Sequence, residues 1–143
     1  YVKRRKGDKW FNFFHFMIDL QHGPCVFKRL RGCGAGNEYV AVTPIGDIYP
    51  CHQFAGDEKY KMGSVLTKEF DADAQKTYAK STVYTKDGCD DCVAKYYCSG
   101  GCMANAVHFE GDINKPYKGG CELMRKRFLT SLAIYDAENN NGK

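Results

Sequence analysis

Eight cysteines are the residues of this 143-residue chain best suited to do chemistry, and their spacing is distinctive. Half of them lie in one short block, as Cys89-x2-Cys92-x5-Cys98-x3-Cys102. The others stand singly, at Cys25, Cys33, Cys51 and Cys121. Thiolates are soft donors that select iron–sulfur clusters or zinc. Because eight donors divide into two sets of four, the sequence predicts two metal sites with four thiolates each.

Glycines beside the cysteines favour iron–sulfur clusters. They flank or precede three of the cysteines, as Gly32 and Gly34 around Cys33, Gly100-Gly101 before Cys102 and Gly119-Gly120 before Cys121. Glycine allows the backbone to approach closely and to aim N–H groups at cluster sulfurs. The alternative is that these glycines only form tight turns. Three separate junctions of this kind indicate cluster packaging instead.

Zinc is the main alternative metal. The pair Cys89-x2-Cys92 alone would suit a zinc knuckle, but structural zinc sites usually combine two such short hairpins. Four of the cysteines here stand alone, which favours iron–sulfur clusters. The sequence shows no export signal, so we expect reduced thiols in the cytoplasm and not disulfides.

Composition excludes some other functions. The formal charge of +4 treats every cysteine as neutral, and two [4Fe–4S] cores with thiolate ligands would carry about −4 in all. The basic surplus is thus no argument for nucleic acid. The apolar run at residues 10–20 is too short for a membrane span. No arrangement of Ser, His and Asp or of paired carboxylates stands out, so we predict no catalytic residue.

The elements that must position the cysteines indicate an α+β fold. Residues 39–42 and 48–49 read as a β-hairpin that returns Cys51 to the side of Cys33. Residues 10–20 (WFNFFHFMIDL) read as a buried strand. Helical periodicity predicts a short helix at 68–80 and a longer one at 122–137. The block at 88–102 reads as loops and short helical turns. We therefore predict a small, irregular domain, stapled by two clusters.

The cysteine pattern resembles a known family. The spacing Cys33-x12-Gly46-x4-Cys51, then the four-cysteine block, then Cys121, is similar to the seven-cysteine pattern of the SPASM domain. That domain carries auxiliary clusters at the C-terminus of many radical S-adenosylmethionine enzymes. The likeness covers residues 25–121. It implies three parts of the chain: the end of a preceding barrel or linker at 1–22, the SPASM domain at 23–121, and a helix and tail at 122–143.

Four longer motifs resemble the maturases of SCIFF peptides, which have six cysteines in forty-five residues. They are residues 23–25 (GPC), 28–39 (KRLRGCGAGNEY), 49–54 (YPCHQF) and 95–102 (KYYCSGGC). Those enzymes join peptide cysteines to carbon atoms of acceptor residues through thioether bonds. The resemblance implies a Cys-rich precursor peptide as partner and the cytoplasm of an anaerobic bacterium as location.

The resemblance also implies how the ligands divide. The first auxiliary [4Fe–4S] cluster would use Cys25, Cys33, Cys51 and Cys102. The second would use Cys89, Cys92, Cys98 and Cys121. The basic domain pattern does not require Cys25, and without it the first cluster would offer an open iron to a substrate thiolate.

One part of the family pattern is missing. Radical enzymes of this type use a C-x3-C-x2-C motif to bind the cluster that cleaves S-adenosylmethionine, and Cys98-x3-Cys102 is not followed by a third cysteine. S-adenosylmethionine and a third cluster would therefore belong to a barrel domain outside this chain, and this chain alone is expected to be inactive. Sulfatase-maturing and quinone-cofactor-forming enzymes of the same domain family remain alternatives.

Overall fold

The structure, a computed structural model, describes residues 1–5 and 7–140 and combines helices with one small sheet. The α-helices are α1 (Val2–Arg5), α2 (Ala72–Lys80), α3 (Lys95–Cys98), α4 (Met103–Glu110) and α5 (Lys118–Asn139). The strands are β1 (Ala41–Val42), β2 (Asp47–Tyr49), β3 (Gly63–Ser64) and β4 (Glu69–Phe70). Single 3-10 turns lie at Phe14–Phe16, Phe27–Arg29, His52–Phe54 and Glu58–Tyr60. The α+β class predicted from the sequence is confirmed.

The sheet is antiparallel throughout, with its strands in chain order. The predicted hairpin is confirmed as β1 and β2, with Ala41 opposite Tyr49. The turn between them needs Gly46, whose φ is +86° and whose N–H donates to the Thr43 carbonyl at 2.9 Å. Strands β3 and β4 were not predicted, because two-residue strands carry almost no periodic signal.

The helix predicted at 68–80 begins four residues later, at Ala72. Asp71 caps it, since its carboxylate accepts the backbone N–H groups of Asp73 and Ala74. Before the cap, Lys68 has a φ of +60° and residues 69–70 form β4. The apolar side chain of Phe70 therefore belongs to a strand, and reading it as part of the helical stripe was wrong.

The prediction of a buried strand at residues 10–20 was also wrong. Residues 14–16 form a 3-10 turn, and the side chains of Trp10 and Phe14 are 54% and 68% exposed. The turn contacts α5, where the Arg127 guanidinium donates to the His15 carbonyl at 2.7 Å. Aromatic content indicated a buried strand, but the segment makes no strand pairing within the described residues.

The C-terminal helix predicted at 122–137 is confirmed and is longer at both ends, so that Cys121 lies in its first turn. The last part of the predicted tail, residues 141–143, lies outside the described residues. The ring of Phe128 on α5 packs 4.7 Å from that of Tyr97 on α3. This contact holds α5 against the segment that carries the cysteine block. Every described helix is too short or too polar to cross a lipid bilayer.

Two small hydrophobic clusters form the core, and both are built from β2 and α4. Ile48 and Tyr49 are neighbours on β2, so their side chains point to opposite faces and enter different clusters. Met103 and Ala104 divide between the same two clusters. Cys51 lies just after β2 and Cys102 just before α4, so the core fixes the positions of both thiols.

Candidate metal centres

The structure brings Cys33, Cys51 and Cys102 together, and we call them the first thiol group. Burial raises the pKa of the Cys51 thiol, and the neighbouring Cys102 and Cys33 thiols raise it further. Cys51 is only 4% exposed. A backbone hydrogen bond of 2.9 Å from Gly36 to the Pro50 carbonyl ties the loop after Cys33 to the end of β2. The expectation that the hairpin returns Cys51 to the side of Cys33 is therefore met.

Two polar side chains contact the sulfurs of this group. The Tyr39 hydroxyl donates to Cys33 Sγ at 3.8 Å, and the Gln53 amide donates to Cys102 Sγ at 3.5 Å. Burial raises the pKa of Tyr39 to about 12, and its hydrogen bond to the Cys33 sulfur adds to the increase. Donors of this kind stabilise thiolate charge once a metal is bound.

Cys25, the fourth predicted ligand of the first cluster, is exposed in the loop before the turn at Phe27–Arg29. Within residues 1–5 and 7–140, the thiols that act on the pKa of Cys51 and of Tyr39 are those of the first thiol group, and Cys25 contributes to neither shift. The structure therefore assembles three of the four thiols that the resemblance assigned to this site.

The second thiol group consists of Cys89, Cys92, Cys98 and Cys121. Burial and the charge of Cys121 raise the pKa of Cys89 to about 11, and Cys98 and Cys92 contribute in the same direction. Burial also raises the pKa of Cys98, as do its neighbours Cys121 and Cys92. Coulomb interactions weaken with distance, so these shifts group the thiol on α5 with the three from the cysteine block.

Backbone N–H groups point at the second group. Those of Gly101 and Gly100 donate to the Cys98 thiol and oppose the rise in its pKa. They reach it because Ser99, Gly100 and Gly101 all have φ between +63° and +78°. This left-handed turn favours glycine and separates Cys98 from Cys102. By contrast, Gly119 and Gly120 lie in the first turn of α5, so this pair forms no left-handed turn before Cys121.

A lysine that sequence reasoning missed lies between the two groups. Lys86 is 3% exposed, and its ammonium donates to the Gly100 carbonyl at 3.0 Å. Burial lowers the pKa of Lys86, while thiols of both groups act against that decrease: Cys89, Cys98, Cys33 and Cys102. Nothing in the local sequence distinguishes this lysine from the exposed ones, because its burial depends on the fold.

The donor chemistry of both groups fits iron–sulfur clusters. All seven donors are thiols, backbone N–H groups reach two of them (Cys51 and Cys98), and the buried Ser99 hydroxyl has no hydrogen-bond partner among the described residues. In that same part of the chain, no three His, Cys, Asp or Glu side chains are close enough to hold one metal ion. In a cubane cluster each thiolate binds a different iron atom, so cluster ligands do not converge on one point.

Comparison with known families finds a likeness over part of the chain. Residues 33–93 match the model of the SPASM family, described as an iron–sulfur cluster-binding domain. Over this segment the chain is similar to SPASM domains. The matched segment includes Cys33, Cys51, Cys89 and Cys92, while the remaining three thiols of the two groups follow the SPASM match along the chain.

Curated relatives extend the likeness beyond the SPASM segment. The chain is 31% identical over 116 residues to the mycofactocin maturase MftC of Mycolicibacterium smegmatis, covering 74% of this chain and 28% of that protein. It is 32% identical over 107 residues to MftC of Mycobacterium tuberculosis, covering 70% and 26%. An uncharacterized Archaeoglobus fulgidus protein is 27% identical over 106 residues, covering 71% and 25%. The chain thus spans little more than a quarter of the length of these relatives.

Proposed function

We propose that this chain is the auxiliary-cluster domain of a radical S-adenosylmethionine peptide maturase and that it binds two [4Fe–4S] clusters. The observation that carries the proposal is the separation of the thiols into two groups whose members interleave along the chain. The first cluster is held by Cys33, Cys51 and Cys102, with Cys25 as a fourth ligand or with an open iron. The second is held by Cys89, Cys92, Cys98 and Cys121.

When bound, such clusters accept and pass on single electrons. The chain's own contribution is to hold and shield them. Thiolates from the hairpin, the cysteine block and α5 tie together segments that are far apart in the chain, so metal binding contributes folding free energy. The N–H groups of Gly100 and Gly101 stabilise the Cys98 thiolate. S-adenosylmethionine and a third cluster are assigned to a barrel domain of the same enzyme.

The substrate that we assign is a Cys-rich precursor peptide in which thioether bonds are formed. The motifs at 23–25, 28–39, 49–54 and 95–102 support this choice through their likeness to SCIFF maturases. A second candidate is a mycofactocin-type maturase, which the similarity to MftC favours. The two candidates share the auxiliary clusters and differ in the bond that is made.

Anaerobic purification tests the clusters. We expect a brown protein, at its natural length, that absorbs near about 400 nm and contains iron and acid-labile sulfide in equal amounts. A colourless protein that contains zinc at both thiol groups would contradict the proposal and support a structural zinc module. Iron and zinc are measured in the same sample by elemental mass spectrometry, so the two results cannot be confused.

Mass spectrometry of the treated precursor peptide tests the substrate. With S-adenosylmethionine and a reductant, thioether formation is expected to remove two hydrogen atoms from the peptide and to make one cysteine resistant to alkylation for each bond formed. A peptide that changes mass while every cysteine still reacts with iodoacetamide would exclude thioether formation and favour the mycofactocin-type candidate.

A further inference from the structure

The long side chain of Lys86 fills a buried space next to the turn at residues 99–101. Its ammonium contacts the left-handed turn at residues 99–101, and a Cβ atom at Gly100 would lie 2.9 Å from Lys86 Cδ and 3.2 Å from its Nζ. Any larger residue at position 100 would therefore occupy the space of the lysine. The glycine that brings a backbone N–H to Cys98 also makes room for this charge.

The buried charge has no carboxylate partner among the described residues. None of the ion pairs found within residues 1–5 and 7–140 includes Lys86, and the one hydrogen bond of its ammonium in that part of the chain is to a backbone carbonyl. A buried ammonium is costly unless a negative charge compensates it. The ammonium binds the Gly100 carbonyl, two residues from Cys98 of the second group and two from Cys102 of the first. Thiols of both groups act on it electrostatically: Cys89 and Cys98 of the second group, and Cys33 and Cys102 of the first.

We propose that Lys86 is a positioning residue shared by both auxiliary clusters, whose ammonium supplies their common counter-charge and raises the reduction potential of each. The inference rests on the proposed function. A thiolate-bound [4Fe–4S] cluster gains one negative charge on reduction, and a nearby fixed cation stabilises the reduced form more than the oxidised form. Because its ammonium binds the turn that joins Cys98 of one group to Cys102 of the other, one charge acts on both clusters. Exposed lysines are screened by water and have much weaker effects.

The test compares Lys86→Met with Lys86→Arg in the protein at its natural length. Methionine keeps an unbranched apolar stem and removes the charge, whereas arginine keeps the charge. Reduction potentials are measured by a redox titration that is monitored by electron paramagnetic resonance. Iron content is measured as well. Lys80→Met is the matched control, since Lys80 is exposed at the end of α2 and its loss changes the net charge equally.

For Lys86→Met with full iron, we expect the ratio of reduced to oxidised cluster at a fixed potential to fall about tenfold, equal to about 59 mV for one electron. Lys86→Arg and Lys80→Met are expected to match the unaltered protein. Loss of iron in Lys86→Met but not in Lys86→Arg would also support the inference, because it would show that the clusters require a positive charge at this position. Unchanged potentials in Lys86→Met, or equal changes in the methionine and arginine variants, would overturn the inference. Absence of iron from the unaltered protein would instead overturn the proposed function, and the inference with it.

Discussion

Replacing Cys98 and Cys102 with alanine in the same molecule is expected to remove about eight irons, whereas each single replacement removes about four. The two cysteines are four positions apart, but the structure places Cys98 with Cys121, Cys89 and Cys92 and places Cys102 with Cys51 and Cys33. If the clusters use these groups, each single variant loses one cluster and keeps the other. Iron per chain after anaerobic purification is the measurement.

The double variant separates this arrangement from the simplest reading of the sequence. Were the block of four cysteines to bind one cluster by itself, the double variant would lose no more iron than either single variant. Val93→Ala is the control, because Val93 lies inside the same block, is 61% exposed and has no thiol. It is expected to keep its full iron content. An unchanged iron content per chain in Cys98→Ala or in Cys102→Ala would contradict the ligand assignment for that residue.

Replacing Gly63 with alanine is expected to produce the largest loss of stability among the glycine positions. An alanine Cβ would lie 2.1 Å from the Glu69 carbonyl oxygen and 2.8 Å from its carbon, and these are backbone atoms of the neighbouring strand. Gly63 pairs with both Ile48 and Phe70, so β3 cannot move away without breaking the sheet on both sides. With a φ of +142° in addition, we expect a cost of at least about 3 kcal/mol.

Thermal unfolding of the anaerobically purified protein measures this effect, and Gly56→Ala provides the control. Gly56 has a φ of +90°, but nothing lies within 4 Å of its added Cβ, so only the conformational cost of about 1 kcal/mol applies. Because β3 supports β2, and Cys51 follows β2, Gly63→Ala should also lower the iron content. Equal melting temperatures for the two variants would show that β3 and β4 do not pair as described.

Several features of the fold could be predicted because their signals are local. The turn at residues 43–46 lies between two short β-prone runs, so the hairpin was predicted within two residues of its observed start. The long stripe of apolar residues at helical spacing in α5 likewise predicted a helix. The prediction of a buried strand at residues 10–20 was wrong because a run of aromatic residues indicates apolar content but does not show that a strand or surface is available to pack against it. At residues 68–71, a positive φ and the Asp71 cap overrode the helical periodicity.

The sequence by itself determined the chemistry of this protein: eight thiols, four of them in one block, with glycines that let the backbone reach sulfur. The spacing alone did not decide which thiols lie together: the resemblance implied a division, and the tertiary structure gives the physical reason for it. The left-handed turn at 99–101 places Cys102 apart from Cys98, and the packing of Phe128 on Tyr97 brings Cys121 to the block. The burial of Lys86 against the Gly100 carbonyl likewise depends on the fold and is not visible in the local sequence. Such arrangements depend on contacts between residues far apart in the chain, which local spacing does not encode.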